Sequence, residues 1–580
     1  MKRPTPTSTA FRSRGVTIVK ATTTTLLAAA ITTIAGGATA ATATEAVAAT
    51  DDRSGARTPK SLVIGTDGLV FSRLQDADTP NIDRLIASGM LATSNLPAEP
   101  LAPTVSGPGW STIATGTWSD KHRVVDNTFA GSDFAAYPDY LTRLETAAPD
   151  TSTLVVASWD PVAVSVFGPA VDERIGSDDA GTVATVTDRL ANTDPDAVMV
   201  HLDEPDIAGH DYGAASDEYL AAIEGVDAAV GELLAAVEGR GTYADDDWLI
   251  VVTTDHGHTP SGGHGGNTEG ERGVFLAATG SGIEPGSTRY DTKLVDIAPS
   301  LLTHHGVAID PAWQLDGTPF GMLPVDPFDS LRDALRPAVD ESAPADRLGW
   351  TQDGPDGWSI DSSRMPAGGV TEWRGWSFTT DEFWTNVDLG QGRETSVHNR
   401  DVFAVADSDE WDDAPHHAGP FDSTLHSPAY PLDGDGDVHL SFATNYQHDP
   451  TQQARVLASF DDGEPVEVAA YTASANRVEH LSVALPAGAS SVRFGFAYTG
   501  SNGSFWTVDQ VRVEQADDSG EPGTGGGSDG EGSDGEASAD SDAKVLPATG
   551  PTLLPILVSA ALLLTAGATA VGATTRRRHR

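Results

Sequence analysis

Five short apolar runs within residues 59–324 constrain the fold more than any other feature of this 580-residue chain. The runs are 61–65 (SLVIG), 153–158 (TLVVAS), 197–202 (AVMVHL), 248–254 (WLIVVTT) and 273–278 (GVFLAA). Strands that are apolar on both faces and rich in β-branched residues are typical of a parallel sheet with covered faces. Segments with helical patterns lie between them, at 79–89, 218–237 and 293–306. The predicted fold class is α/β, a mainly parallel sheet with helices on both faces.

Residues 349–515 differ from the preceding region in composition and in the pattern of their apolar residues. They contain seven of the twelve Trp residues of the chain, which is typical of a compact core of their own. In the run 492–498 (VRFGFAY), alternate apolar residues share one strand face; they are Val492, Phe494, Phe496 and Tyr498. This pattern predicts an all-β sandwich, and the segment resembles the jelly-roll accessory domains of secreted bacterial hydrolases. We expect the clustered Trp residues to form core rather than a sugar-binding platform.

The first 40 residues have the layout of a signal peptide. Basic residues without acids occupy 1–20, an Ala/Thr-rich apolar run follows, and Ala-Thr-Ala stands at 38–40. We expect cleavage after Ala40 or a few residues later, and therefore export of the protein.

The C-terminal residues predict a spacer followed by an anchor. Residues 516–545 are almost entirely Gly, Ser and acidic residues, and such a composition predicts a disordered linker. Residues 546–580 comprise LPATG, an uncharged apolar stretch long enough to span a bilayer, and RRRHR. They resemble the cell-wall sorting signal of Gram-positive bacteria. The resemblance implies that a sortase cleaves between Thr549 and Gly550 and joins the chain to peptidoglycan, so that it meets the membrane only through this transient anchor.

The overall composition excludes several classes of function. Acidic residues outnumber basic ones 84 to 35, which gives a formal charge of −49 and argues against binding to nucleic acid. The chain has no cysteine, so disulfides, thiolate metal sites and Cys nucleophiles are ruled out together.

Carboxylate and imidazole side chains follow three of the predicted strands. They are Asp67 after the first run, Asp206 and His210 after the third, and Asp255, His256 and His264 after the fourth. Ligands of parallel sheets collect at the carboxyl ends of the strands, so we expect these side chains to converge there. A sulfur-free set of carboxylates and imidazoles favours Zn²⁺, and then Mn²⁺ or Mg²⁺.

The segment 101–116 (LAPTVSGPGWSTIATG) offers a nucleophile in Thr104, Ser106 or Ser111. It predicts a Gly/Pro loop that leads into a helix beginning near Trp110. Backbone N–H groups and the helix dipole favour a bound phosphate at such a place. A coordinated metal ion would lower the pKa of the hydroxyl enough to make it a nucleophile near neutral pH.

The ordered motifs resemble the alkaline phosphatase superfamily, and within it the type I phosphodiesterase/nucleotide pyrophosphatase branch. The motifs are TDG (66–68), SGP (106–108), EPDIAGH (204–210), TDHG (254–257) and HGG (264–266). The resemblance covers about 61–320. It implies two divalent metal ions, one held by Asp206, His210 and His264, the other by Asp67, Asp255, His256 and the Ser106 oxygen. It also implies Ser106 as nucleophile, with Thr104 as the alternative, and Asn127 as a ligand of the phosphate; His258 has no assigned role and is expected beside the ligands or exposed.

The resemblance has one departure that bears on the substrate. The branch has Phe-Pro-Asn-His after its nucleophile, whereas this chain has Gly107-Pro108-Gly109-Trp110, so we expect a different substrate-facing loop. Trp110 also stands where a formylglycine sulfatase needs Arg. The predicted function is a wall-anchored hydrolase of small phosphate esters, of phosphodiesterase or nucleotide pyrophosphatase type. The alternatives are a phosphomonoesterase or sulfate-ester hydrolase, and an inactive hydrolase scaffold that serves as a surface adhesin.

Overall fold

The computed structural model describes most of the region between the two ends. The described residues are 57–97, 101, 103–335, 348–387, 390–434, 436–516 and, for the backbone, 543–545. The predicted signal peptide, nearly all of the predicted linker and the whole sorting signal, with Thr549 and Gly550, lie outside them. Among the described residues no helix combines the length and the apolar character needed to cross a bilayer.

An eight-stranded sheet forms the first part of the molecule. Its strands are β1 (Thr58–Thr66), β2 (Met90–Asn95), β3 (Thr153–Ala157), β4 (Glu173–Gly176), β5 (Ala197–Leu202), β6 (Asp246–Thr254), β7 (Gly273–Thr279) and β8 (Ser287–Arg289). The order is β4-β3-β5-β1-β6-β7-β2-β8, and the first five strands in this order run parallel. Only β7 runs antiparallel to its two neighbours. The five apolar runs form β1, β3, β5, β6 and β7, and the predicted mainly parallel sheet is confirmed.

Helices cover both faces of this sheet, as predicted. They are α1 (Phe71–Asp76), α2 (Pro80–Ser88), α3 (Ser106–Thr115), α4 (Ser119–His122), α5 (Tyr140–Ala147), α6 (Asp179–Asn192), α7 (Asp206–Tyr212), α8 (Asp217–Glu238), α9 (Glu269–Arg272) and α10 (Ile297–His304). One π-helical turn (Val162–Val166) and 3₁₀ turns (Leu294–Asp296, Pro311–Trp313, Phe328–Ala334) complete the layers. On β1, Val63 joins the core beneath α3 and α10, whereas Leu62 and Ile64 join the core beneath α8. Alternate residues of a strand point to opposite faces, which is why a continuous apolar run is needed here.

The second part of the molecule consists of antiparallel strands. They are β9 (Trp350–Thr351), β10 (Ser359–Asp361), β11 (Ser377–Thr380), β12 (Val402–Asp407), β13 (Phe421–Pro431), β14 (Val438–Tyr446), β15 (Gln453–Phe460), β16 (Val466–Tyr471), β17 (Ala475–Val483), β18 (Ser491–Gly500), β19 (Phe505–Ala516) and β20 (Ala543–Val545), with helices α11 (Asp381–Val387) and α12 (Ser408–Asp412) and a 3₁₀ turn at Arg393–Thr395. One sheet has the order β10-β13-β18-β15-β16, and the other β17-β14-β19-β12-β11-β9. Strand β20, at the end of the predicted linker, pairs with the end of β19.

The two antiparallel sheets pack face to face, which confirms the predicted all-β architecture. Phe442 of one sheet and Phe496 of the other meet edge to face, with ring centroids 5.1 Å apart. Six Trp side chains are buried in this region; they are Trp358, Trp373, Trp376, Trp384, Trp411 and Trp506. The clustered Trp residues are therefore core, as expected.

Buried polar contacts join the sandwich to the α/β region. The guanidinium of Arg400 donates to both carboxylate oxygens of Asp296, at 2.6 and 2.9 Å, and both side chains are buried. Lys293 Nζ donates to the carbonyl of Val397 at 3.1 Å. A bidentate pair of this kind has a defined geometry, so it fixes the sandwich against the segment that opens α10.

Candidate active site

Three neighbouring parallel strands deliver the predicted ligands to one edge of the sheet. In the order β5-β1-β6, Thr66 pairs with Leu202 on one side and with Thr254 on the other. Asp67 and Asp255 follow directly, and α7 begins at Asp206 four residues beyond β5. The predicted convergence of these three acids is therefore observed.

Four side chains form what we call the imidazole cluster: Asp206, His210, His258 and His264. Each offers one ligand atom, and these atoms lie within 4.8 Å of one another. Asp206 and His210 stand one turn apart on α7, with Oδ2 and Nε2 3.3 Å apart. The Nε2 atoms of His210 and His264 lie 3.1 Å apart. This geometry brings three imidazoles and a carboxylate around one point.

His258 belongs to this cluster, although the sequence suggested no role for it. It is buried rather than exposed, and its Nε2 lies 2.5 Å from Oδ1 of Asp206. Gly68 makes this approach possible. A Cβ on Gly68 would lie 2.6 Å from that Asp206 oxygen and 2.8 Å from His258 Nε2, and the backbone φ of +65° also favours glycine.

A second group, the carboxylate cluster, consists of Asp67, Asp206 and His256, again with ligand atoms within 4.8 Å. Asp206 therefore belongs to both clusters. Oδ2 of the buried Asp67 accepts hydrogen bonds from His201 Nε2 and Trp110 Nε1, both at 2.9 Å. Burial by itself would raise the pKa of Asp67, but the His201 hydrogen bond and the nearby imidazole of His256 lower it to about 2. The carboxylate is thus held in its ionised form.

Asp255 lies next to the carboxylate cluster and has an unsatisfied oxygen. Its Oδ1 accepts the Gly68 N–H at 3.2 Å, whereas its buried Oδ2 has no hydrogen-bond partner among the described residues and lies 3.5 Å from His256 Nε2. Burial and the charge of Asp67 raise the pKa of Asp255. A buried carboxylate oxygen without a donor is costly, and a bound cation would remove this cost.

The imidazole tautomers also fit a metal site. Nδ1 of His256 donates to the carbonyl of Gly257 at 3.0 Å, and Nδ1 of His264 donates to the carbonyl of Thr104 at 2.9 Å. Because carbonyls only accept, these bonds place the lone pair on Nε2 in both residues. Burial, together with neighbouring His256, lowers the pKa of His264 to about 4, and burial lowers the pKa of His256. Both rings are therefore neutral and could coordinate a metal ion through Nε2, and the donor set suits Zn²⁺.

Ser106 lies beside the carboxylate cluster. Its Oγ is 3.3 Å from His256 Nε2 and 3.5 Å from Asp67 Oδ1. The sequence predicted a helix beginning near Trp110, and this was wrong: α3 begins at Ser106 itself, and all ten of its residues are buried. Proline is tolerated in a first turn, and close packing outweighs the low helix propensity of glycine. The hydroxyl thus stands at a helix N-terminus, where anions are favoured.

Thr104, the alternative nucleophile, has its hydroxyl engaged in structure. Its Oγ1 donates to the Gly266 carbonyl at 2.9 Å and accepts the Gly265 N–H at 3.1 Å. The hydrogen bond from His264 to the Thr104 carbonyl joins the same two segments. These three bonds hold the loop 264–266 (HGG) against the segment before α3. The geometry therefore favours Ser106, while Thr104 positions His264.

Asn127 and Trp110 differ in their placement. Asn127 is exposed beside the start of α3, where its Oδ1 accepts the Gly107 N–H at 2.7 Å. Trp110, which departs from the Phe-Pro-Asn-His pattern, is buried beneath Asp67. Its side chain therefore holds a predicted metal ligand and does not face substrate. His201, also in contact with Asp67, was missed; its signal was a single imidazole inside an otherwise apolar strand.

Part of the α/β region is similar to known proteins. The family model described as type I phosphodiesterase/nucleotide pyrophosphatase matches residues 61–162 and 145–269. Ectonucleotide pyrophosphatase/phosphodiesterase family member 7 of Mus musculus is 26% identical over 237 residues, which are 35% of this chain and 51% of the mouse protein. Bis(5'-adenosyl)-triphosphatase ENPP4 of Bos taurus is 25% identical over 237 residues, 36% of this chain and 49% of the bovine protein. The chain thus spans about half the length of these curated relatives.

Among solved structures, murine ectonucleotide pyrophosphatase/phosphodiesterase 5 aligns with 43% of this chain and 96% of its own length. The TM-score is 0.35 and the sequence identity 15%.

Proposed function

We propose that this chain, whose residues 61–269 match the type I phosphodiesterase/nucleotide pyrophosphatase family, is a metal-dependent hydrolase of small phosphate esters. The observation that carries the proposal is the position of the Ser106 hydroxyl. It stands at the N-terminus of α3, within 3.5 Å of Asp67 and His256, and Asp206 joins that cluster to the imidazole cluster. A hydroxyl, a helix N-terminus and two adjoining ligand clusters are the parts that phosphoryl transfer requires.

Two divalent metal ions, Zn²⁺ by the chemistry of the donors, would be held by the two clusters. One would be bound by Asp206, His210 and His264, with His258 beside them, and the other by Asp67, Asp255, His256 and Ser106 Oγ. When bound, such ions supply the positive charge that lowers the pKa of a hydroxyl and neutralises a phosphate. The unpartnered Asp255 oxygen and the Nε2 lone pairs of His256 and His264 support this assignment.

The residues of the chain carry the covalent steps. The Ser106 hydroxyl gives up its proton to water, its oxygen attacks phosphorus, and the bond from phosphorus to one ester oxygen breaks; the released alcohol oxygen takes up a proton. The remaining phosphate ester is then joined to Ser106. Water attacks this seryl phosphodiester, a proton passes to the departing Ser106 oxygen, and a phosphate monoester is released with the Ser106 hydroxyl restored. Because the oxygen of its side-chain amide accepts the Gly107 N–H, Asn127 has its NH₂ group for a non-bridging phosphate oxygen.

The charges around the site favour a diester over a monoester. Among the described residues, no Lys or Arg side chain hydrogen-bonds to Ser106, Asn127 or the seven metal-ligand candidates. Asp203 adds further negative charge, because its ligand atom lies within 4.8 Å of those of Asp67 and His201. The two metal ions would balance part of the negative charge of a phosphate, but the second charge of a monoester would find no basic side chain hydrogen-bonded at the site.

The decisive experiment compares bis(p-nitrophenyl) phosphate with p-nitrophenyl phosphate, in the presence of Zn²⁺ or Mn²⁺. We expect faster diester cleavage by the parent protein, and loss of turnover with retained metal in Ser106→Ala. Full activity in Ser106→Ala together with loss of activity in Thr104→Ala would show that Thr104, and not Ser106, is the nucleophile. A preference for the monoester, or for p-nitrophenyl sulfate, would establish the corresponding alternative.

The adhesin alternative is tested on the same protein. An inactive scaffold should bind less than one equivalent of metal and cleave none of these esters. Two equivalents of metal in the purified protein, with turnover that a chelator abolishes, would exclude it.

The ends of the chain support a proposal about location. The signal-peptide layout of residues 1–40 and the LPATG sequence support export and covalent attachment to peptidoglycan by a sortase at Thr549. In a Gram-positive host, the full chain should appear in the wall fraction and require muramidase for release. Thr549→Ala should move it to the membrane fraction or the medium; unchanged wall attachment would contradict the proposal.

A further inference from the structure

A cleft of about 540 Å³ lies where the sandwich meets the α/β region, and the proposed hydrolase chemistry does not use it. We call it the seam cleft. Its volume lies within the range of small-molecule sites, and junctions between domains are frequent places for such sites. It is also distant from Ser106. Trp118 lines the cleft just beyond the C-terminus of α3, whereas Ser106 opens this ten-residue helix, so the two are separated by about 15 Å.

One wall of the seam cleft is the outer face of the sandwich sheet. Ser441 on β14 pairs with His480 on β17 and with Arg512 on β19, so these three side chains form one row across three strands. Two residues further along β14, on the same face, stands Ala443. Small residues on the central strand leave a depression, and a guanidinium and an imidazole flank it.

The opposite wall comes from the α/β region and from the segment before β12. Lys121 on α4 is bound to Asp316, and Arg400 is bound to Asp296, so the charges of both are largely balanced. The lining contains two acidic residues, Asp120 and Asp316. It contains four basic residues, which are Lys121, Arg400, Arg477 and Arg512. Arg477 is likewise paired with Glu479, which lies outside the lining, so Arg512 is the basic residue of the lining without an ion pair to a described residue.

Two polar groups in the cleft lack hydrogen-bond partners among the described residues. Arg512 is half-buried, and no hydrogen bond or ion pair joins its guanidinium to the described residues, although the carboxylates of Glu514 and Asp326 attract its charge from a greater distance. The imidazole of His398 likewise has no hydrogen-bond partner among the described residues. Burial, together with the charges of Lys121 and Arg400, lowers the pKa of His398 to about 4, which leaves a neutral ring with one N–H to donate. Both groups carry a desolvation cost that an acceptor in the cleft would offset.

We propose that the seam cleft binds a small polar ligand that carries a phosphate or sulfate group, with Arg512 as the residue that pairs with the anion. A guanidinium matches such an anion by donating two parallel hydrogen bonds. His398 adds a donor, and the small residues Ser441 and Ala443 leave room for a sugar-sized body. The cleft is larger than a bare ion requires, so the ligand extends beyond the anionic group.

The test is calorimetric titration of the full secreted protein with glucose 6-sulfate, inorganic sulfate and glucose. We expect glucose 6-sulfate to bind more tightly than either of the others. Arg512→Gln should raise its Kd about tenfold or more, and His398→Gln should raise it by a smaller factor. Arg364→Gln is the matched control, because Arg364 is an exposed, ion-paired arginine of the sandwich outside the cleft, and it should leave the Kd unchanged.

Activity towards bis(p-nitrophenyl) phosphate should stay unchanged in Arg512→Gln, which separates this proposal from the hydrolase assignment and shows that the variant folds. An unchanged Kd in Arg512→Gln would overturn the proposal. Equal affinity for glucose would show a neutral-sugar site instead, and equal affinity for inorganic sulfate would refute a ligand larger than the ion.

Discussion

The Ser106 hydroxyl lies 3.3 Å from Nε2 of His256, although the two residues are 150 positions apart in the chain. This contact depends on two separate features of the fold. Strand β6 ends so that His256 stands beside the carboxyl end of β1, and α3 begins at Ser106 rather than later. Neither feature is local, so variants of the residues that hold this geometry provide the sharpest tests.

Asp206 should be the most sensitive ligand, because it belongs to both clusters. We expect Asp206→Asn to lose the metal ion of the imidazole cluster, to bind the neighbouring ion more weakly, and to lower phosphodiesterase activity by roughly 100-fold or more. Metal content by mass spectrometry and turnover would be measured together. Asp211→Asn, on the exposed side of the same helix, is the control and should keep both. Retention of two tightly bound equivalents in Asp206→Asn would contradict its assignment as a metal ligand.

We expect that residue 68 must be glycine for the site to form. In Gly68→Ala the new Cβ would overlap Asp206 and His258 and would impose a left-handed backbone on alanine, at a cost of about 1–3 kcal/mol. We expect lower stability in urea and weaker metal binding. Gly225→Ala, within α8 and without atoms near the new Cβ, should instead stabilise the protein by about 0.5–1 kcal/mol. Equal stability of the two variants would contradict this account.

Much of the site could be predicted because strand ends converge by a general rule. Asp67, Asp206 and Asp255 each follow a recognisable apolar run, and parallel strands bring such positions to one edge. The two antiparallel sheets were likewise predictable, since alternation of the kind seen in Phe494 and Phe496 is a property of the strand itself.

The residues that support the ligands could not be predicted in the same way. His201 and Trp110 contact Asp67 only because β5 and α3 pack against β1, and no local pattern encodes that packing. His258 depends on the close approach that Gly68 permits. The start of α3 was misplaced for a related reason: Gly107 and Gly109 have low helix propensity, and burial of the entire helix outweighs it.

His122 should make stability depend on pH. It is buried, its Nδ1 accepts the Val124 N–H at 3.1 Å, and burial lowers its pKa from 6.5 to about 3. Below pH 6.5 His122 binds a proton in the unfolded chain, whereas in the folded protein it stays neutral until the pH approaches about 3. The free energy of unfolding should therefore fall as the pH drops from about 6.5 to 3, by up to about 1.4 kcal/mol per pH unit from this group.

The measurement is urea unfolding at pH 7 and pH 5, with His122→Gln as the comparison. Glutamine does not titrate, so the variant should lose less stability over this interval than the parent protein. Other buried imidazoles, such as His305, titrate in both proteins and cancel in the difference. An identical loss in the two proteins would show that His122 does not contribute.

Arg400 should hold the sandwich to the α/β region. Its removal in Arg400→Met leaves Asp296 as a buried carboxylate without its cation, which typically costs about 3–5 kcal/mol. Arg364→Met breaks an exposed ion pair with Asp422 and should change stability by less than about 0.5 kcal/mol. Limited proteolysis would show whether the two regions also separate, because their junction residues become accessible once the pair is broken. A loss below about 1 kcal/mol in Arg400→Met would mean that other contacts at the junction, such as that of Lys293 with Val397, suffice to hold it.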